Sequence, residues 1–264
     1  MRITGSLVLV TGASMGIGAA TAAEFARYGA TVVIAARSRD KLDEVATGIA
    51  TDGGTVHVHP ADVSTLEGST RLADEVVAAH GTPDILVNNA GAGRFSFIDR
   101  TTPAEFAQMA AVPYLAAGFL TTALLPGMIG RGSGRIVNVN SPVSRVVWPA
   151  AGGYASARWA LRGLTEGLRA DLRGTGVGVT EIIPGEVTSQ YFVNNPGSAA
   201  NLPGIAKLLP RSSPDQVATK LVRAVALDKD ELIFPLLLRL LANQARLAPR
   251  LVASVVAATG TRRR

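Results

Sequence analysis

Tyrosine and arginine stand four residues apart in "YASARWALRG", Tyr154 to Gly163. On a helix, residues at i and i+4 share a face, so Tyr154 offers a phenol acid/base beside the fixed cation of Arg158. A guanidinium can donate hydrogen bonds and favour a tyrosinate, but it keeps its own proton at any physiological pH. The pair therefore suits proton transfer at Tyr154 without a relay through its neighbour. Ser141, thirteen residues before the tyrosine, adds a hydroxyl.

A second set of residues suits a phosphate-bearing ligand. "TGASMGIG", Thr11 to Gly18, follows an apolar run and opens a helical pattern. Gly12 permits a tight turn, Gly16 a close phosphate, and Gly18 close helix–strand packing. Ser14 and Ile17 lie in the same turn, where free N–H groups at a helix start attract a pyrophosphate. The next apolar run ends "VVIAARSRD", with Arg37 and Arg39 at its tip and no acid before Asp40. A carboxylate there would hold a ribose diol and repel a 2′-phosphate, whereas a guanidinium suits the phosphate. NADP(H) is the expected cofactor, with NAD(H) less favoured. Asp62 and Val63, in "ADV", fall at the adenine, with Asp62 set to accept from its amine.

These groups need elements to position them. Short β-branched runs ("LVLVTG", "TVVIAAR", "TVHVHPADV", "DILVNNAG", "GRIVNVNS", "GVGVTEIIPG", "ELIFP") alternate with segments of helical apolar spacing. Runs with little polar alternation belong to strands buried on both faces. The expected fold is α/β: a doubly wound Rossmann fold with a seven-stranded, mostly parallel sheet and helices on both faces. Residues 1–235 read as one cofactor-binding catalytic domain and 236–264 as a basic amphipathic extension.

Composition narrows the chemistry. The chain has no cysteine among its 264 residues, which excludes disulfides, zinc thiolates and cysteine nucleophiles. Its apolar N-terminal run "LVLV" is too short for a signal peptide, and a cytoplasmic location is expected. Formal net charge is +6, but residues 231–264 hold six arginines and one acid, while residues 1–230 hold 20 basic and 19 acidic groups. The charge sits on the tail. Its leucines, spaced with Arg239, Arg246 and Arg250, suit a helix on an anionic membrane, a helix packed on a partner subunit, or a flexible tail. Nucleic acid is not an expected partner, because aromatic platforms for bases are absent.

Taken in order, "TGASMGIG", "NNAG" (Asn88 to Gly91), Ser141, Tyr154 and "PGEVTS" (Pro184 to Ser189) resemble the short-chain dehydrogenase/reductase family over residues 5 to 234. The resemblance implies NAD(P)-dependent hydride transfer between cofactor and a ketone, aldehyde or secondary alcohol. It assigns Tyr154 as acid/base, Ser141 as the hydroxyl orienting the substrate oxygen, and position 158 as the grip on the nicotinamide ribose. It also implies cofactor contacts from Asn89, Ala90, Gly91, Pro184, Gly185, Val187 and Ser189, with Thr188 the alternative to Ser189. Two positions depart from the family. Its lysine is Arg158, and its water-holding helix asparagine falls on Pro113, which lacks an N–H and tends to kink a helix. Both changes fall on the proton relay. The alternatives to ordinary turnover are a weak or inactive NADP(H)-binding protein and non-redox chemistry on a retained cofactor.

Residues 190–212 occupy the family's substrate lid, and their apolar character points to an apolar small-molecule substrate. A homodimer or homotetramer is expected through helices near 104–125 and 154–173, with Trp159 in the seam. No metal site is expected: His57 and His59 share one side of a strand, with His80 assigned to a different helix and no third ligand. Glu186 reads as a solvated loop carboxylate.

Overall fold

The computed structural model describes residues 1–189 and 191–261. Seven strands form one sheet: β1 (Leu7–Thr11), β2 (Thr31–Ala36), β3 (Thr55–Pro60), β4 (Ile85–Asn88), β5 (Gly134–Val139), β6 (Val177–Pro184) and β7 (Glu231–Phe234). Their order is β3-β2-β1-β4-β5-β6-β7, and every pairing is parallel. Chain direction across the sheet reverses between β1 and β4, which opens a crevice at the carboxyl ends of the strands.

Successive strand residues point to opposite faces, and both faces here are apolar. Val8, Val10, Val32 and Ile34 pack with Phe25 of α1 (Gly16–Arg27), Leu42 of α2 (Arg39–Thr51) and Leu221 of α8 (Pro214–Ala226). Leu9, Val33 and Leu86 pack on the other side with Leu72 of α3 (Leu66–His80), Leu120 of α5 (Ala116–Arg131) and Leu168 of α6 (Gly152–Asp171). The unbroken apolar strand runs thus serve two cores at once.

Pro113 does not end its helix. α4 (Pro103–Ala110) continues into α5 through a π turn at Ala111–Leu115, with Pro113 buried inside it. A proline ring clashes with the carbonyl four residues back in an α-helix, and the wider π turn relieves that clash.

The tail folds as two helices, α9 (Leu236–Leu247) and α10 (Pro249–Thr259), packed on each other. Pro249 begins α10, where its missing N–H costs nothing. Val252 and Val256 join a cluster with Phe95, Trp148 and Tyr154, so the pair closes one end of the crevice.

The histidine expectation needs correction. His80 ends α3, but α3 packs beside β3, and the three imidazoles meet. His57 stacks on His80 with centroids 4.2 Å apart, and His59 Nε2 lies 3.3 Å from His80 Nε2. Among the described residues, no group of three or more His, Cys, Asp or Glu is arranged to hold a metal ion.

Candidate active site

A cleft of about 850 Å³ runs from the glycine turn to the C-terminal helices. Its glycine turn is built too tightly for side chains. A Cβ on Gly18 would lie 2.2 Å from the Gly12 carbonyl oxygen, and one on Gly12 would lie 2.8 Å from Ala90 Cα. Asn89 Nδ2 donates to the carbonyls of Thr11 and Gly12 at 3.0 and 3.2 Å, which locks the turn to the end of β4. Gly16, at φ +57°, faces Ser189, and both line the cleft with Ser14 and Ile17.

At the far end of this half, Arg37, Asp62 and Val63 line the cleft together. The Asp62 carboxyl is held below its ordinary range, first by the Ser64 hydroxyl, which donates at 2.7 Å, and also by the positive charge of Arg37. The two arginines at the tip of β2 part company. Arg39 pairs with Asp43 along α2 at 3.0 Å, whereas Arg37 turns to the cleft. Lys41, in the first turn of α2, joins it there, a second cation that the strand-tip reading overlooked although it stands only four residues after Arg37.

Tyr154 and Arg158 stand on the buried face of α6, each 6% exposed. Arg158 lies over the Tyr154 ring, its Cζ 5.0 Å from the centroid. Its Nη1 donates to the Val139 carbonyl at 3.0 Å, and its Nη2 sits where a Cβ on Gly91 would come within 2.7 Å. Its Nε is buried with no protein partner. Gly91 therefore makes room for the larger guanidinium at the wall of the cleft.

Ser141 stands at the start of a short 3₁₀ turn, Pro142–Ser144, and lines the same cleft. A buried ionic group holds its loop. Glu181, fully buried in mid-strand, accepts from Arg145 and from Asn140 Nδ2, each at 2.6 Å. Arg145 also bonds Glu231 on β7. Asn140 donates to the Arg158 carbonyl at 3.1 Å and accepts from the Ser141 N–H at 2.9 Å. One asparagine thus ties the serine loop to the helix carrying the tyrosine. The signal for this group was an acid inside the otherwise apolar run "GVGVTEIIPG".

The lid supplies a residue the sequence reading missed. Tyr191, at the start of α7 (Tyr191–Asn194), donates to the Gly93 carbonyl at 2.6 Å and stands edge-on to Tyr154, with ring centroids 6.4 Å apart. Burial raises the Tyr191 phenol above its ordinary pKa, with Tyr154 adding to the shift. Position 190 lies outside the described residues.

The lid is pinned at its base. Val187 pairs with Ser212 in an isolated parallel bridge, and the Thr188 N–H donates to the Ser212 carbonyl at 2.9 Å. Glu186 is not the solvated carboxylate expected. It is largely buried and pairs with Arg211 at 2.9 Å, because the lid returns beside it. Thr188 donates its hydroxyl to Ser212, leaving Ser189 as the hydroxyl that lines the cleft. Pro184 and Gly185 line it too, with Gly185 packed against Pro235.

Beyond Tyr154 the cleft is apolar, walled by Phe95, Met109, Phe192, Ile205 and residues of α9 and α10. Trp148 lies among them with its Nε1 buried and without a protein partner.

The short chain dehydrogenase family model matches residues 6–197. The chain is 32% identical over 243 residues to a dehydrogenase/reductase SDR family protein 7-like from Anopheles gambiae, covering 89% of this chain and 77% of that one. It is 34% identical over 232 residues to the ketoacyl reductase HetN of a Nostoc strain, covering 88% and 79%. It spans 51% of the length of a Mycobacterium tuberculosis oxidoreductase to which it is 37% identical over 174 residues. An alcohol dehydrogenase from Thermococcus sibiricus, solved with 5-hydroxy-NADP, superposes with a TM-score of 0.76 at 29% identity, covering 87% of this chain and 95% of that one. A chain with this sheet order, glycine turn and serine–tyrosine pair is a nucleotide-dependent oxidoreductase of the doubly wound class. It belongs to the short-chain dehydrogenase family.

Proposed function

We propose that the protein reduces an apolar ketone or aldehyde with NADPH, or catalyses the reverse oxidation. The observation that carries this reading is the junction at Tyr154: a buried phenol under a fixed cation, between a phosphate-fitted turn and an apolar cavity. A bound nicotinamide dinucleotide supplies or accepts the hydride. Tyr154 gives or takes the proton at the substrate oxygen, and the Ser141 hydroxyl donates to that oxygen. Arg158, which lines the cleft beside Tyr154, holds a ribose hydroxyl through its guanidinium. Arg37 and Lys41 favour the 2′-phosphate by charge. Pairing of two copies through the exposed Phe106 and Trp159, on α4 and α6, is part of the same reading.

The test is titration with NADPH and NADH, followed by a carbonyl substrate screen read by NADPH absorbance. Arg37→Asp should weaken NADPH binding by about 1.5–3 kcal/mol, roughly ten- to a hundredfold, and leave NADH unweakened, since a carboxylate there suits the ribose diol. An unchanged NADPH preference would rule out the phosphate contact. NADPH binding without turnover on any carbonyl would leave a binding protein.

A further inference from the structure

The outer face of the C-terminal helix pair is apolar and basic. α9 turns Leu238 and Ala242 inward. At about 100° per residue, Leu236, Leu240 and Leu247 fall within about 40° of one another on the opposite side. They are 68%, 50% and 89% exposed, and α10 adds the exposed Leu251 and Val255. Arg239 and Arg246 fall on one flank of this ridge, and Arg250 lies in the first turn of α10. Residues 236–264 contain no acid.

Two partners could cover such a face, and charge separates them. A symmetric second copy would set arginines against arginines with no carboxylate between them. An anionic bilayer receives leucines at its headgroup–acyl boundary and attracts arginines beside them. The inner face adds a reason for this location, since Leu238, Leu241, Ala242, Val252 and Val256 line the apolar cavity. One thin helical layer separates that cavity from the leucine ridge.

We propose that α9 and α10 dock the protein on the surface of an anionic membrane, with the substrate cavity beside the lipid. Docking rests on the hairpin alone, whereas lipid as the source of substrate rests on the reductase reading. The test is flotation of the full chain with phosphatidylcholine vesicles, with and without phosphatidylserine. The protein should float with phosphatidylserine vesicles only and be released by high salt, since surface attraction is screened. A Leu240→Gln, Leu247→Gln variant should lose about tenfold in bound fraction, with melting temperature and NADPH binding unchanged. Failure to float with anionic vesicles overturns the proposal. So does a lower oligomer mass for the leucine variant in sedimentation, which would make the face a subunit contact. Flotation without carbonyl turnover sinks the reductase reading alone, and turnover without flotation sinks docking alone.

Discussion

Tyr154 meets the lid at Tyr191, whose ring centroid lies 6.4 Å from its own and whose hydroxyl is held by the Gly93 carbonyl at 2.6 Å. Loss of that bond should loosen the lid over the substrate. Tyr191→Phe is expected to raise KM about fivefold, the equivalent of one hydrogen bond of about 1 kcal/mol, with kcat nearly unchanged. A fall in kcat at constant KM would mean instead that Tyr191 passes protons to Tyr154. Arg158 poses the complementary question. Arg158→Lys should raise turnover by no more than about tenfold, about 1.4 kcal/mol, because Pro113 still stands where the family has its asparagine. The Pro113→Asn, Arg158→Lys double variant should exceed the product of the single effects if both positions serve one proton path. Additive barriers in steady-state assays would dismiss that coupling. Tyr154, Arg158, Ser141 and the glycines were legible because each belongs to a short, ordered motif. Tyr191 was not, since its partner Gly93 lies 98 residues away and no local pattern joins them.

The elements hold these groups through buried polar contacts as well as packing. Glu181 is fully buried on β6 and paired with Arg145, which also bonds Glu231. Removing Glu181 leaves Arg145 with Glu231 alone and takes away two buried hydrogen bonds to a charged group, at a cost of about 1.5–3 kcal/mol. Glu181→Ala should lower stability by about that amount in denaturant titration and release the Ser141 loop. A loss below about 1 kcal/mol would show that the pair does not anchor the loop. The strands themselves were legible because burial on both faces leaves continuous apolar runs. The helix around Pro113 was less so: proline foretold a kink, and a π turn absorbed it within a continuous helix. The tail's helical spacing was readable, but its break at Pro249 and its return onto the cavity depend on contacts with Trp148 and Phe95, far away in sequence.

Across the whole molecule, acidity should act through the histidine cluster. Burial, then the charges of His57 and His59, hold His80 below its ordinary pKa of 6.5. The unfolded chain therefore binds a proton at His80 before the folded one does, so stability falls as pH drops below about 6.5. Melting curves between about pH 7 and pH 5 should show this loss, and His80→Gln should flatten it. An identical slope in the variant would assign the loss to other groups. The cluster escaped sequence reading because β3 and α3 meet only in the folded chain. The pinned lid base has a different consequence. Because Val187 pairs directly with Ser212, the chain leaves the sheet and comes back to the same point. The segment between is an excursion rather than a connector, and its length and composition are not constrained by the strand register. Substrate choice can therefore be rewritten there, by exchange of one surface segment, while the cofactor half of the molecule keeps its shape.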